Sequence, residues 1–236
     1  MNILKNIEKE IMLKANKEYA QHSQRYFKTG KGEYGENDKF IGLRNPESRA
    51  ISKKFAKTAD YETIEELLNS KIHEFRLIAL LILEVKFKNN KKNSEEQEKV
   101  FDIYIRNADN INNWDLVDLT APNIVGKYLK NKNKDILYTF AKTKHLWKKR
   151  IAILSCFAFI KDNEFLDALK IARILLYDKH DLIHKAVGWM LREIGKKDQA
   201  VEERFLEKYH ETMPRTCLRY AIEKFDSDKR AYYMKK

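Results

Sequence analysis

Helix breakers are scarce in this chain. Its 236 residues include seven glycines and three prolines, where average usage would supply roughly 28 of the two together. Valine occurs only six times, while Lys, Glu, Leu and Ile abound. That balance reads as helix almost throughout. Cysteine is also rare. Cys156 and Cys217 lack metal-ligand spacing and fall in apolar helical stretches, so they read as buried free thiols suited to a reducing compartment. No run approaches eighteen apolar residues, so no membrane span is expected. The first ten residues alternate Lys and Glu without the apolar core of a secretory signal, which gives the expectation of a cytoplasmic protein. The six histidines show no HExxH or HxH spacing, so metal catalysis gains no support, and neither a metal nor a cofactor is expected. The Gly30-Lys31-Gly32 loop lacks the GxxxxGK[ST] order of a nucleotide-binding P-loop. It stays open between a backbone approach to phosphate and a plain interhelical connection.

Positive charge is plentiful. Lys and Arg total 47 against 35 acids, a formal net charge of +12 with a sequence pI near 9.4. Such a balance favours a polyanionic partner without identifying it. The length suits one large domain or two small ones. We expect a single domain over residues 1–236, with a short basic tail from about 226, acting as a monomer.

The helices come in pairs, and the pairs repeat. A basic residue followed by a small-residue helical pattern recurs at Arg76–Ala79, Arg150–Ala152, Lys185–Ala186 and Arg219–Ala221. The last three are separated by 35 and 34 residues. The gap from Arg76 to Arg150 leaves room for two periods, one of them holding Trp114 and Asp118. Two helices per repeat of about 35–40 residues predict an all-α fold, an α-solenoid of HEAT-like repeats with a basic concave face. A plain helical bundle is the competing fold.

The centre of the chain carries the most chemistry. In the run Asn112-Asn113-Trp114-Asp115-Leu116-Val117-Asp118, Trp114 and Asp118 are four apart and share one helix face. A carboxylate repels phosphate, so it is costly for a nucleic-acid binder unless the bound molecule develops positive charge. Asp115 and Asn112 read as a helix cap and first-turn charge; Asp118 lies a turn too deep for capping. Pro122 has no N–H for the Asp118 carbonyl, so a kink or an ordinary break follows the acid.

The other inner-helix candidates are Lys148, Lys149, Arg150, Lys185, Trp189, Arg192, Arg215 and Arg219. Trp189 lies four residues after Lys185 and three before Arg192, an aromatic in a basic surface of the kind nucleic-acid binders use for stacking and phosphate contact. Core positions are the competing reading for Trp114 and Trp189, and solvated salt bridges for Arg150 and Arg192. Trp147 reads as core, as do Phe75, Phe87, Phe101, Phe140 and Phe157, which follow helical spacing.

Asn113–Asp118, Trp147–Leu154 and His184–Glu193 together resemble the AlkD-type DNA alkylation repair family. Arg25–Gly35 with Gly42–Pro46, and Met213–Ala221, resemble its N- and C-terminal signatures. The similarity runs in order from about residue 20 to 225. It implies a HEAT-like-repeat DNA glycosylase acting on duplex DNA that contains cationic 3- and 7-alkylpurines. By position, the family's catalytic aspartate falls on Asp118, its cleft tryptophans on Trp114 and Trp189, its flanking arginine on Arg150, and a cleft tyrosine on Tyr26. Asn113 is a departure, because some members carry a tryptophan there. A cationic purine leaves readily, so one carboxylate near C1′ and a positioned water would suffice. A non-catalytic DNA-binding solenoid and a protein-binding scaffold are the competing functions.

Overall fold

The computed structural model describes residues 2–235. Among them the regular structure is helical, apart from a single parallel bridge between Lys39 and Ile72. The chain divides into two compact units, Met1–Thr120 and Ala121–Lys236.

The N-terminal unit contains α1 (Ile3–Leu13), α2 (Lys17–Tyr26), α3 (Asn45–Phe55) and α4 (Tyr61–Leu68), followed by α5 (His73–Asn89), α6 (Ser94–Arg106) and α7 (Trp114–Thr120). Starts are written locally: the side chains of Asn2, Asn16, Asp60 and Asn93 each accept the backbone N–H three residues on, a cap typically worth about 1 kcal/mol. At the centre lies α5, packed by α3, α4, α6 and α7. Its residues from His73 to Leu83 are buried without a break, as a helix covered on every side requires. The segment between α2 and α3 is tied to the start of α5. The Glu74 carboxylate accepts the N–H groups of Ile41, Gly42 and Leu43 at 2.8–3.3 Å. Gly42 has φ +84°, and a Cβ there would lie 2.0 Å from the Asn16 carbonyl oxygen, so only glycine fits.

The C-terminal unit opens on a π-helical turn, Pro122–Gly126. It continues with α8 (Asp135–Lys142), α9 (Leu146–Ser155), α10 (Phe157–Lys161) and α11 (Leu166–Leu175), then α12 (Asp181–Gly195), α13 (Gln199–Tyr209), α14 (Arg215–Ala221) and α15 (Ser227–Met234). The repeat spacing is realised here. Arg150, Lys185 and Arg219 lie on α9, α12 and α14, and these three helices pack in series, α9 on α12 and α12 on α14. Their partners α8, α11 and α13 pack beside α9, α12 and α12 respectively. Close approach of α12 and α14 depends on Gly188, where a Cβ would meet the Cys217 carbonyl oxygen at 2.3 Å. The fold class is therefore all-α, built from paired helices.

Several expectations change in detail. The segment after 226 is helical and not a tail: α15 buries Tyr233 against Phe225 and His210. Trp147, Phe75, Phe87 and Phe140 are core, whereas Phe101 and Phe157 are only half-buried. Both cysteines are free and buried, and burial pushes their thiols up, Cys217 to about 12. No described helix is long and apolar enough to cross a membrane.

Candidate functional site

The seven-residue helix α7 presents one face to a cavity of about 350 Å³ within the N-terminal unit, toward the small end of ligand pockets. Trp114, Asp115, Asp118 and Leu119 face it from α7, Tyr19, His22 and Tyr26 from α2, and His73 and Leu77 from α5. The walls are aromatic. Phe27 stacks on Trp114 (centroids 5.2 Å apart) and on Phe40 (4.9 Å), while Tyr26 meets Trp114 edge-on at 5.8 Å. The Trp114 indole N–H donates to the Tyr34 hydroxyl, but burial outweighs that bond and the Tyr34 phenol titrates above its ordinary range. Trp114, Asp118 and Tyr26, singled out from sequence, therefore line one pocket.

Both ends of α7 are tied down. At its end Thr120 Oγ1 bonds the Leu116 carbonyl at 2.5 Å and lies 3.1 Å from the hydroxyl of the fully buried Tyr104. Beyond Thr120 the π turn begins at Pro122, with the Gly126 N–H donating to the Ala121 carbonyl at 2.9 Å. The break expected after the acid is thus a π turn, a feature often found beside functional sites.

The start of α7 differs from the sequence reading. Asp115 does not serve with Asn112 as a cap. One of its oxygens accepts the Leu116 N–H at 2.9 Å, and the other lies 2.9 Å from His73 Nε2. Asn113, not Asn112, accepts a backbone N–H, that of Trp114, at 2.9 Å. On its other side, His73 Nδ1 is 3.0 Å from Asp38, which also pairs with Arg76 and accepts from Asn113 Nδ2 at 3.2 Å. All five side chains are buried. Burial by itself would discharge His73, but the Asp115 and Asp38 carboxylates prevail and hold its pKa at about 9, so the ring is an imidazolium at neutral pH. Burial likewise opposes ionisation of Asp38, yet the His73 hydrogen bond and Arg76 keep it below the usual carboxylate range. Two carboxylates and two cations thus cancel at the pocket floor and behind it. Sequence reasoning treated Arg76 only as a repeat marker and missed His73 and Asp38. The available signal was a polar start, His73-Glu74-Phe75-Arg76, on a helix that continues as a purely apolar run to Leu83: charge on such a helix has to be paired.

The remaining candidates belong to the C-terminal unit. Arg150 is buried and donates to the Leu182 carbonyl at 2.5 Å. Trp189 is half-buried, tilted against Phe157 at 6.1 Å, with its N–H on Glu193 at 3.0 Å. Its surroundings are thus mixed in charge instead of cationic. Lys149 pairs with Asp178 at 2.5 Å, Lys185 with Asp181 at 2.7 Å, and Arg192 with Glu223. Arg215 donates to the Met234 carbonyl at 2.7 Å. Lys148 lies over the Phe140 ring, 5.9 Å from its centroid, and Arg219 is exposed. The Gly30 and Gly32 N–H groups bond the side chains of Glu33 and Glu36, so the loop's donors serve its own acids. Among the described residues, no group of three or more His, Cys, Asp or Glu is arranged to hold a metal.

The model of the family described as "DNA alkylation repair enzyme" matches residues 7–225. The solved structure of a "predicted DNA alkylation repair enzyme" from Enterococcus faecalis shares the fold, with a TM-score of 0.72 at 19% identity over 91% of this chain and 98% of that one. No functionally curated protein matches the sequence. With the family's model spanning nearly the whole sequence, the chain belongs to the DNA alkylation repair enzyme family.

Proposed function

We propose that the protein is a monofunctional DNA glycosylase that excises positively charged alkylpurines, of the 3-methyladenine and 7-methylguanine type, from duplex DNA. The observation that carries this reading is the pocket of the N-terminal unit, where Asp118 lines an aromatic cavity with Trp114 and Tyr26. The carboxylate Asp115 that also lines it is bonded to a buried imidazolium, so its charge is compensated.

Alkylation at N3 or N7 makes the purine cationic and weakens the bond from the sugar C1′ to the base nitrogen. That bond breaks with its electron pair going to the base, which leaves as a neutral alkylpurine. The sugar becomes an oxocarbenium-like cation. Asp118 stabilises this charge and orients a water, whose oxygen bonds C1′ and whose proton passes to the carboxylate. The Trp114 face attracts the cationic base by cation–π interaction. Trp189 and Arg150 enter the scheme through their family positions, as the second cleft tryptophan and the flanking arginine. Tyr26 is assigned to DNA contact from the pocket wall, and Lys148, Lys149, Lys185, Arg192, Arg215 and Arg219 to the DNA backbone. The scheme needs neither metal nor cofactor, and we propose that the protein acts as a monomer on nucleoid DNA in the cytoplasm.

The test is incubation with a duplex carrying N7-methylguanine, followed by chromatography of free base. Release of 7-methylguanine is expected, with no release of uracil or 8-oxoguanine, whose neutral bases leave poorly without a general acid. Because no lysine amine attacks the sugar, borohydride should trap no enzyme–DNA adduct. Efficient uracil release or a trapped adduct would overturn the mechanism.

A further inference from the structure

A chain of buried polar contacts that the excision chemistry leaves unused runs back from the pocket wall. It runs from Arg76 to Asp38, from Asp38 to His73, and from His73 to Asp115, with Asn113 joining at Asp38. We propose that His73 is a positioning residue for excision: clamped between Asp38 and Asp115, it fixes the first turn of α7 and so the placement of Trp114 and Asp118. This inference rests on the glycosylase reading above.

Three observations carry it. First, α7 has seven residues, and isolated helices shorter than about 12–15 residues are marginal in water. Its direction is therefore set by its anchors. Tyr104 holds the last residue, while Asn113 and Asp115, the residues flanking Trp114, both bond the His73–Asp38 pair. Second, the imidazole is part of the pocket floor as well as an anchor. Its ring stacks with Phe40 at 4.5 Å and lies 5.2 Å from Phe27, the ring that stacks on Trp114. A shift of His73 is thus felt by Trp114 through both the backbone and the aromatic stack. Third, His73 is held in place on its own side. Its N–H donates to the Lys39 carbonyl at 2.8 Å, which sets Asp38 beside the ring, and Arg76 grips that carboxylate from the next turn of α5.

Burial and the two carboxylates in contact with the ring set its titration. Asp38 faces it from the segment before α3 and Asp115 from α7. Glu74 and Arg76 flank it on α5, while Asp118, His22, Tyr19 and Tyr26 share the cavity. The closest groups are the two carboxylates. The clamp is therefore present while His73 is charged and weakens once the ring loses its proton, as pH rises through about 9.

The experiment compares wild type, His73→Gln, Asp115→Asn and the double variant. It measures single-turnover release of 7-methylguanine, duplex affinity, and the 19F NMR signals of 5-fluorotryptophan-labelled protein, with Trp114 assigned through Trp114→Phe. His73→Gln should slow release by about tenfold, within the hundredfold that misplacement of a reacting group can cost, with duplex affinity essentially unchanged. The wild-type rate should fall as pH rises through about 9, and both single variants should lack that limb. The double variant should be no slower than the slower single variant, because both act through one contact. If His73→Gln fails to fold, Asp115→Asn, which leaves no uncompensated buried carboxylate, still reports the rate and the alkaline limb. A wild-type rate and pH profile in Asp115→Asn, or losses that multiply in the double variant, would overturn the proposal. If wild type releases no base at all, the glycosylase reading fails. The clamp is then judged by the Trp114 signal, which should move with a midpoint near pH 9 in wild type and stay fixed in Asp115→Asn; an immobile wild-type signal would overturn it.

Discussion

The two units bury charge in different ways. In the N-terminal unit, the buried Asp38 and Asp115 are matched by His73 and Arg76 within hydrogen-bonding distance, and the Glu74 carboxylate by three backbone N–H groups. In the C-terminal unit, Glu202 is 1% exposed and its Oε1 has no hydrogen-bond partner. Burial, reinforced by Glu203, raises its pKa to about 9 against a weaker pull from Arg192, so it is protonated at neutral pH. The His73 cluster keeps its buried charges by pairing them, whereas Glu202 discards its charge by taking up a proton. Ionic hydrogen bonds are directional and roughly twice as strong as neutral ones. The unit that shapes an aromatic pocket uses them, whereas packing alone accommodates a neutral Glu202.

That contrast is broken first at Asp118. Asp118→Asn keeps the shape of the pocket and removes the charge held for the sugar cation. Excision should fall at least 10²-fold, the scale of losing one preorganised electrostatic stabiliser, while duplex binding stays equal or improves. Asp115→Asn should lose less, because Asp115 already has His73 as its counterion. Near-normal excision by Asp118→Asn alongside abolition by Asp115→Asn would reverse the roles of the two acids.

The tryptophans come next. A cation–π contact contributes about 0.5–2 kcal/mol, or roughly 2- to 30-fold in rate. Trp114→Ala and Trp189→Ala should each reduce release of 7-methylguanine within that range, Trp114→Ala more, since it also removes the ring on which Phe27 stacks and the donor to Tyr34. Equal excision by wild type and Trp114→Ala would remove the pocket from the mechanism.

Stability sharpens the comparison further. Glu202 has its pKa raised, so wild-type stability falls as pH climbs from the ordinary glutamate range near 4.5 toward 9. Glu202→Gln is neutral throughout and should melt higher by roughly 5 °C at pH 7, the difference vanishing near pH 4.5. His73→Gln should act oppositely. The His73 contribution, a few kcal/mol for a shift of this size, is fully present below about pH 6.5 and is lost through about pH 9. Its variant should therefore melt lower at pH 7 and converge on wild type in alkali. Thermal scans across pH decide both.

The smallest effects concern DNA affinity. A cation that neutralises one phosphate adds about one unit to the slope of log affinity against log salt, so removing it should flatten the slope by that amount. Arg219, exposed on α14, should show that full change on neutralisation, for lesion and normal DNA alike. Lys149, Lys185 and Arg192 already pair with Asp178, Asp181 and Glu223, so their variants should flatten it less. Equal slopes for all four variants would mean that these ion pairs exchange freely for phosphate.

Much of this was legible in the residues themselves. The shortage of glycine and proline, the Asn and Asp caps, and the recurrence at 35 and 34 residues specify helices and their pairing, because propensity, capping and periodicity are local properties that a single chain displays. The Trp114–Asp118 spacing likewise places an aromatic and an acid on one face before any fold is known. Tertiary structure alone decided which neighbours those residues meet. Asp115 reads as a helix-end charge until α5 brings His73 against it across 42 residues, and Asp38 is an ordinary loop acid until the bridge between Lys39 and Ile72 carries it to the same ring. Arg150, for which a solvated salt bridge was the competing reading, and Glu202 are both buried in the fold. Desolvation and long-range pairing depend on what surrounds a group in space, so the charge state of a buried side chain is set by the packed molecule and not by its place in the chain.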